Sequence, residues 1–293
     1  MKFLVTGSTG LVGRQVIKDL TEKNHEVYSC YYNQKPEYGN PVHLDLTNLS
    51  SIETTVNQVK PDVTIHLAAM TDVDGCEDQK DLAFLINAKA TERLAKQTAL
   101  QNTFFLYVST DYVFDGTKDL WKENDKPNPL GNYGKSKLEG EKAIENLASS
   151  WCIARTSTPF GFHPKKQSFP LWVAENLKSK KEINVLVDQF TSPTYVPNLS
   201  KMLIEISEKQ LLGIYHVSGA SRISRYELAD LVSEKLNLDK KFLKPTTINE
   251  MKWKAKRPKD SSLDVSKVSY ILNEKPQKIE DSLDLFIKEL NQN

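Results

Sequence analysis

Short apolar runs alternate with amphipathic stretches through the first half of the chain, a pattern typical of strands followed by helices. The runs predict strands at residues 2–6, 26–32, 42–44, 63–69, 104–109 and 152–155. Helices are predicted at residues 11–20, 50–59, 83–100 and 133–147. Strands that are continuously apolar are buried on both faces. We therefore expect an α/β protein with a doubly wound parallel sheet, a Rossmann fold.

The alternation weakens beyond the last of these strands. Residues 160–167 and 246–262 are polar and contain Pro, Lys and Arg, which is typical of loops. Short helices are predicted at residues 171–178, 199–208, 224–236 and 282–290. We predict a Rossmann domain at residues 1–160, to which residues 188–216 return. Residues 161–187 and 217–293 would form a smaller C-terminal lobe that binds substrate.

Composition narrows the class of protein. The net charge of +1 creates no global field that would attract nucleic acid or an anionic membrane. No segment approaches the run of about 20 apolar residues that a membrane helix requires, and Met1 leads directly into an apolar strand, unlike a targeting peptide. Cys30, Cys76 and Cys152 are odd in number and widely spaced. They suit a reducing cytoplasm, where we expect the protein to reside.

Three glycines stand between the first predicted strand and the first predicted helix. Gly7, Gly10 and Gly13 form a G-x-x-G-x-x-G arrangement. Glycine at such a turn adopts backbone angles that other residues avoid, and it lets the backbone approach a pyrophosphate closely. The helix N-terminus behind the turn adds free N–H groups and a partial positive charge. The arrangement favours a dinucleotide site over the alternative, a tight turn that binds no ligand.

A tyrosine and a lysine four residues apart begin the helix predicted at residues 133–147. Tyr133 and Lys137 would share one face of that helix. An ammonium group beside a phenol stabilises the phenolate, so we expect Lys137 to lower the pKa of Tyr133 from about 10 and make it a usable general acid or base. Thr110 follows a strand, at the sheet edge where ligands bind, and its hydroxyl can hydrogen-bond a reacting carbonyl. The alternative is an exposed helix start, because Tyr-x-x-x-Lys is common by chance.

Longer segments carry a resemblance to a known family. The chain contains, in this order, TGSTGLVG, HLAAMTDVDGCE, STDYVFDG, NYGKSKLEGEKA, ARTSTPFG, DQFTSPTYVPNLS, GIYHVSGASRISRYELA and RPKDSSLDVSK. These segments span nearly the whole sequence, which resembles the dTDP-4-dehydrorhamnose reductase family of extended short-chain dehydrogenase/reductases. The regulatory β-subunit of methionine adenosyltransferase shares the pattern, notably in YHVSG and RPKDSSLD.

The resemblance implies NADP(H) as the cofactor of the Rossmann domain and a nucleotide sugar as the substrate. Tyr133 would protonate the carbonyl oxygen as hydride arrives, Lys137 would bind the nicotinamide ribose, and Thr110 would hold the substrate oxygen. The other implied cofactor contacts are Gly7, Thr9, Gly10, Leu11, Val12, Gly13, Lys35, Asp45, Leu46, Ala68, Ala69, Met70 and Asn87. The other implied substrate contacts are Thr71, Val73, Asp111, Gln189 and Arg257.

Several of these assignments have a structural alternative. Asn87 would support the active-site lysine, or it lies on a helix surface. Asp45 would lie near the adenine, or it caps the following helix. Arg257 would reach the substrate diphosphate, with the loop at residues 188–194 against the nucleotide sugar, or it is a surface residue in a lobe that binds a protein partner.

The end of the second predicted strand bears on cofactor preference. It reads Tyr-Tyr-Asn-Gln-Lys at residues 31–35, without the Asp or Glu that an NAD site uses to bind the ribose hydroxyls. Lys35 would pair with a 2′-phosphate, or it is a solvated loop lysine. We therefore predict that NADPH is preferred over NADH.

The sequence departs from the family at two places. One bears on which sugar is bound and the other on metal binding. The family motif Arg-Thr-Ser-Trp ends here in Thr158, which leaves the exact sugar undetermined. The magnesium-binding glutamates of some members have no counterpart, and the group of Asp74, Cys76 and Glu77 lacks a histidine at ligand spacing. We predict no metal.

Three functions follow. The first is NADPH-dependent reduction of the C4 ketone of a nucleotide-linked 4-keto-6-deoxy sugar, typically dTDP-4-dehydro-L-rhamnose to dTDP-L-rhamnose. The second is an NADP-binding regulatory subunit, and the third is another sugar-nucleotide reductase or epimerase. Thr110, Tyr133 and Lys137 together favour an enzyme, because a pure binder has no need of all three. A homodimer is left open.

Overall fold

The structure is a computed structural model and describes residues 1–292. Its strands are β1 (Lys2–Thr6), β2 (Glu26–Tyr31), β3 (Asn40–His43), β4 (Val63–His66), β5 (Phe104–Thr110), β6 (Trp151–Thr156), β7 (Pro159–Phe160), β8 (Ile183–Leu186), β9 (Phe190–Thr191), β10 (Thr194–Tyr195), β11 (Gly213–His216), β12 (Ile223–Ser224) and β13 (Leu243–Thr246). Its α-helices are α1 (Leu11–Glu22), α2 (Leu49–Val59), α3 (Gly75–Asp78), α4 (Lys80–Phe84), α5 (Ala90–Leu100), α6 (Asn132–Leu147), α7 (Phe169–Lys178), α8 (Val196–Lys209), α9 (Arg225–Lys235), α10 (Ser266–Ile271) and α11 (Ile279–Gln292). It also has a π-helical turn at Leu85–Lys89 and 3-10 turns at Asp111–Val113, Lys240–Phe242 and Ile248–Glu250.

Seven parallel strands form the large sheet, in the order β11-β6-β5-β4-β1-β2-β3. The chain winds outward from β1 in one direction to β3 and in the other to β11. This confirms the predicted doubly wound α/β fold. The direction of winding changes between β1 and β4, and the crevice beyond the carboxyl ends of these two strands is where such sheets bind ligands.

Successive residues of β1 pack on opposite faces of the sheet. Phe3 lies in a core with Ile17 of α1 and Leu203 of α8. Leu4 lies in a separate core with Ile52 of α2 and with residues of α5 and α6. Both faces are therefore covered by helices, which explains why the strands read as continuous apolar runs. Of the described helices, none is both long enough and apolar enough to cross a bilayer.

A second core lies outside the large sheet and includes a two-stranded parallel sheet. Ile183 of β8 pairs with Leu243 of β13, and both pack against Leu228 of α9 and Phe286 of α11. The sequence analysis missed both strands, because each has four residues and β13 contains Pro245, a residue that argues against a strand.

The boundaries of the two domains stay a prediction. Within the range assigned to the lobe, Val268 of α10 and Leu272 pack into the core of the large sheet. Residues 266–272 therefore share a core with the Rossmann domain rather than with the lobe.

The long helix predicted at residues 83–100 is interrupted. It comprises α4, the π-helical turn Leu85–Lys89 and α5, and it begins at Lys80. A π-helical turn shifts the register of the backbone hydrogen bonds, and such turns are frequent at functional sites. This turn contains Asn87.

Candidate active site

The glycine turn packs against the end of β4. Gly7 has a φ of +69°, and a Cβ atom there would lie 2.7 Å from the backbone nitrogen of Ala68. A Cβ atom on Gly13 would lie 2.1 Å from the carbonyl oxygen of Gly7. Neither position has room for a side chain, so the close approach of β1, α1 and β4 depends on glycine.

A cavity of about 410 Å³ opens beside this turn. Six of the predicted cofactor contacts line it, namely Gly7, Thr9, Asp45, Leu46, Ala68 and Ala69. Asp45 accepts hydrogen bonds from the Thr47 backbone nitrogen at 2.8 Å and from its hydroxyl at 2.7 Å. The residue that caps α2 is Asn48, which accepts from the Ser51 nitrogen. The alternative that Asp45 caps this helix is therefore wrong.

A second depression lies on the outer side of the turn and is lined by basic side chains. Lys35 shares it with Arg14, His163 and Lys165, and with Glu37, which pairs with Arg14 at 2.6 Å. His163 is hydrogen-bonded to the backbone of Thr9. The loop after β7 therefore contacts the glycine turn, a contact that sequence analysis missed because this loop lies far along the chain.

Thr110 and Tyr133 meet beyond the carboxyl end of β5. Their side chains are neighbours, and the Thr110 hydroxyl donates to Asp111 Oδ1 at 3.1 Å. Burial raises the pKa of Tyr133 above its ordinary value, and the neighbouring Thr110 hydroxyl offsets this only in part. The phenol is therefore protonated at neutral pH, which is the state a general acid requires.

Lys137 is buried one turn further along α6. Its Nζ donates to the Val108 carbonyl at 2.8 Å and lies 4.0 Å from the centre of the Tyr107 ring. Burial lowers the pKa of Lys137 to about 7, and the Glu141 carboxylate opposes this. The expectation that Lys137 lowers the pKa of Tyr133 is wrong for this structure, because burial of the phenol is the larger effect.

Asn87 holds the loop after β4 against α6. Its Oδ1 accepts from the Met70 nitrogen at 2.8 Å, and its Nδ2 donates to the Met70 carbonyl and to the Ser136 hydroxyl, both at 3.0 Å. Ser136 in turn donates to the Tyr133 carbonyl at 2.9 Å. Asn87 is 1% exposed, so the surface alternative is wrong, and its side chain bonds to Ser136 rather than to Lys137.

A buried chain of hydrogen bonds connects Thr6, the last residue of β1, to Asn87. Thr91 donates to the Asn87 carbonyl at 2.9 Å and lies 3.0 Å from His66 Nε2. Because the one hydroxyl proton of Thr91 is used, Nε2 of His66 must be the donor. Nδ1 of His66 then accepts from the Thr6 hydroxyl at 2.6 Å. Burial lowers the pKa of His66 to about 3, which keeps it neutral.

The start of α6 is fixed by a carboxylate from α3. Glu77 accepts from the Asn132 backbone nitrogen and from its Nδ2, both at 2.7 Å. A carboxylate at a helix N-terminus is stabilised by the helix dipole, so Glu77 anchors the turn that carries Tyr133. The sequence did not predict this role of Glu77, because no local pattern shows which helix the acidic loop meets.

Asp111, one of the predicted substrate residues, is buried and accepts several hydrogen bonds. The Asp111 carboxylate accepts from the hydroxyls of Ser157 at 2.7 Å and Ser261 at 2.5 Å. Gln189 is 2% exposed, and its Oε1 faces Arg225 Nε at 3.4 Å. The backbones of residues 188–194 and 258–263 are hydrogen-bonded to each other, so these two segments form one wall.

Arg257 is not a free surface residue. Its guanidinium lies 3.1 Å from Asp74 Oδ2 and 3.9 Å from the centre of the Trp253 ring. Arg225 lies in the same region and interacts electrostatically with Arg257 and Asp111. Sequence analysis missed Arg225, because as the first residue of α9 it resembles any polar helix start.

Metal binding finds no support in the geometry. Within residues 1–292, no cluster of three or more histidine, cysteine, aspartate or glutamate side chains is placed to hold a metal ion. Cys30, Cys76 and Cys152 are buried free thiols.

Comparison with known proteins agrees with the sequence resemblance. A family described as RmlD substrate binding domain matches residues 1–292. The methionine adenosyltransferase 2 subunit beta of Xenopus tropicalis is 35% identical over 276 residues, which are 92% of this chain and 81% of that protein. The dTDP-4-dehydrorhamnose reductase of Aggregatibacter actinomycetemcomitans is 32% identical over 288 residues, 94% of each chain. A crystal structure of dTDP-4-dehydrorhamnose reductase from Bacillus anthracis, in complex with NADP, superposes with a TM-score of 0.88 at 31% identity over 99% of this chain and 100% of that one.

Proposed function

The chain belongs to the RmlD substrate binding domain family, and from this premise we propose that it is an NADPH-dependent reductase. The substrate is the C4 ketone of a nucleotide-linked 4-keto-6-deoxy sugar, with dTDP-4-dehydro-L-rhamnose reduced to dTDP-L-rhamnose. The observation that carries the proposal is that Thr110 and Tyr133 are neighbours, with Lys137 one helical turn away, at the edge of the sheet where ligands bind. We place the enzyme in the cytoplasm.

The residues at the glycine turn fit an NADP cofactor. Side chains are excluded at Gly7 and Gly13, and the 410 Å³ cavity beside them is lined by the residues expected at the adenosine. The basic depression that contains Lys35 and Lys165 follows β2, where a 2′-phosphate is expected. The similar reductase structure from Bacillus anthracis is a complex with NADP, which supports the same cofactor here. When bound, NADPH supplies hydride.

The protein supplies orientation and a proton. The protonated phenol of Tyr133 donates its proton to the carbonyl oxygen as the C4 carbon accepts hydride, so that the ketone becomes an alcohol. Thr110 holds that oxygen within reach of the phenol. Lys137 binds the cofactor ribose. Asn87 and Glu77 hold the start of α6 in place beside the loop after β4.

A regulatory subunit is the second candidate. The methionine adenosyltransferase 2 subunit beta of Xenopus tropicalis is 35% identical, which favours this alternative. Thr110, Tyr133 and Lys137 are all present, and a subunit that only binds NADP and a partner enzyme does not require this combination.

One binding measurement separates the two candidates. We expect calorimetry on the NADPH-saturated protein to show binding of dTDP and dTDP-sugars, and oxidation of NADPH at 340 nm with a 4-keto nucleotide sugar. If dTDP-, UDP- and GDP-sugars all fail to bind, the reductase proposal is wrong and the regulatory candidate replaces it.

A further inference from the structure

Arg225 differs from every other arginine of the chain. Five of the six arginines form ion pairs with a carboxylate, namely Arg14, Arg93, Arg155, Arg222 and Arg257. Arg225 has no such pair among residues 1–292. Its contacts are neutral: Nε lies 3.4 Å from Gln189 Oε1, Nη2 lies 3.4 Å from Thr158 Oγ1, and the guanidinium carbon lies 5.0 Å from the centre of the Phe169 ring.

The carboxylate that influences Arg225 electrostatically is already hydrogen-bonded. Asp111 influences Arg225 electrostatically, but its oxygens accept hydrogen bonds from the hydroxyls of Ser157, Ser261 and Thr110. A largely buried guanidinium without a carboxylate partner is costly, because desolvation is not offset by an opposite charge. Burial accordingly lowers the pKa of Arg225.

Two further donors in this region lack acceptors. Gln189 Nε2 and Arg257 Nε are buried and have no hydrogen-bond partner among the described residues. The Tyr112 phenol lies beside both arginines and Gln189. Buried polar groups are nearly always hydrogen-bonded in proteins, so several orphan donors around one cation indicate a site for a ligand that accepts hydrogen bonds and carries negative charge.

Thr158, at which the sequence departs from the family motif, lies beside Arg225. It stands where the family has tryptophan, and its φ of +42° is unusual for a β-branched residue. Strained backbone of this kind concentrates at functional sites. The small threonine side chain leaves room for the Arg225 guanidinium, which contacts its hydroxyl.

We propose that Arg225 binds an anionic oxygen of the substrate, with Gln189 and Arg257 as additional donors. The inference rests on the proposed function and extends it. It requires the substrate to carry a negative charge where it binds Arg225, near Asp111. In a nucleotide-linked 6-deoxy sugar that charge is the diphosphate. A carboxylate on the sugar ring presents the same chemistry to a guanidinium but requires a sugar other than the 6-deoxy sugar proposed above.

Calorimetry with the NADP-saturated protein tests the inference. Wild type and Arg225→Gln are titrated with dTDP, dTDP-rhamnose, UDP-glucose and UDP-glucuronate. If Arg225 binds the diphosphate, Arg225→Gln weakens all four ligands by a common factor of about 10 to 100, typical of hydrogen bonds to a charged group. If it binds a sugar carboxylate, only UDP-glucuronate is weakened by that factor. Either result supports the inference, but the second would replace the 6-deoxy sugar of the proposed function with a sugar that carries a carboxylate.

The matched control is Arg222→Gln, on the segment that precedes α9. Arg222 stacks on Phe190 at 4.0 Å and pairs with Asp260 at 2.6 Å, so its charge is already neutralised. We expect it to leave all four affinities within about threefold of wild type. Unchanged NADP affinity in Arg225→Gln shows that the variant is folded. If Arg225→Gln then binds every ligand as wild type does, the inference is wrong while the proposed function stands. If wild type binds none of the four, both are wrong.

Discussion

Arg155 of β6 and Glu141 of α6 form an ion pair from which water is almost excluded. Nη2 lies 2.7 Å from Oε2, Nε lies 3.1 Å from Oε1, and both side chains are 2% exposed. The pair fastens the helix that carries Tyr133 and Lys137 to the sheet. Arg155 is the first residue of the motif that in the family lies near the substrate, but here its guanidinium binds Glu141 of α6.

Removing one partner of this ion pair should destabilise the protein more than replacing both partners with apolar residues. Arg155→Met and Glu141→Leu each leave one buried group without its partner and should lower the free energy of unfolding by about 3–5 kcal/mol. The double variant Arg155→Met/Glu141→Leu should lose less than the sum of the single variants. Urea denaturation of the four proteins gives the coupling. Strictly additive losses would contradict a direct buried interaction.

Sequence alone predicted the parts of the site that lie on local motifs. Gly7, Thr110 and Tyr133 could be placed because glycine spacing, strand ends and a helix start are local patterns. The pKa of Tyr133 was predicted in the wrong direction, since one sequence shows which groups are neighbours in the chain but not how deeply a phenol is buried. Glu77 and Arg225 reach the site from distant elements, and no spacing rule connects them to it.

The hydrogen-bond chain through Thr91 should matter for turnover. Thr91→Val removes the hydroxyl that links His66 to the Asn87 carbonyl, and we expect kcat to fall about tenfold, equivalent to roughly 1.4 kcal/mol. Thr98→Val is the matched control, because Thr98 is also buried on α5 but donates only to backbone carbonyls of its own helix. Both should lose similar stability, while only Thr91→Val should lower kcat. Thr91→Ser should keep kcat near the wild-type value. Equal losses of kcat in the two valine variants would show that the hydrogen-bond chain has no positioning role.

Cofactor preference should depend on the basic depression. NADPH should bind more tightly than NADH, and Lys35→Ala and Lys165→Ala should each weaken NADPH about tenfold with little effect on NADH. Lys181→Ala, an exposed lysine of the lobe, is the control. Fluorescence titrations at low salt measure the dissociation constants. Tighter binding of NADH by wild type would reject the 2′-phosphate assignment.

Acid should destabilise the fold through His216. Its imidazole is buried beside Phe114, and burial, aided by the charge of Arg155, lowers its pKa from 6.5 to about 3. The unfolded chain therefore binds a proton that the folded chain does not, so stability is lost as the pH falls from about 6.5 toward 3, by up to roughly 1.4 kcal/mol per pH unit. Chemical denaturation at pH 7.0, 5.5 and 4.5 should show a shallower loss in His216→Gln than in wild type. The exposed His43→Gln should retain the wild-type dependence, and an unchanged slope in His216→Gln would refute the assignment.

The most direct test of the reductase proposal is the rate of NADPH oxidation with dTDP-4-dehydro-L-rhamnose by wild type and by Tyr133→Phe. The phenylalanine variant keeps the ring and loses the proton that the phenol donates. We expect wild type to turn over and Tyr133→Phe to be slower by about a hundredfold or more under conditions where chemistry limits the rate, with NADPH affinity unchanged. Turnover by Tyr133→Phe at the wild-type rate, or no NADPH oxidation by wild type with any 4-keto nucleotide sugar, would contradict it.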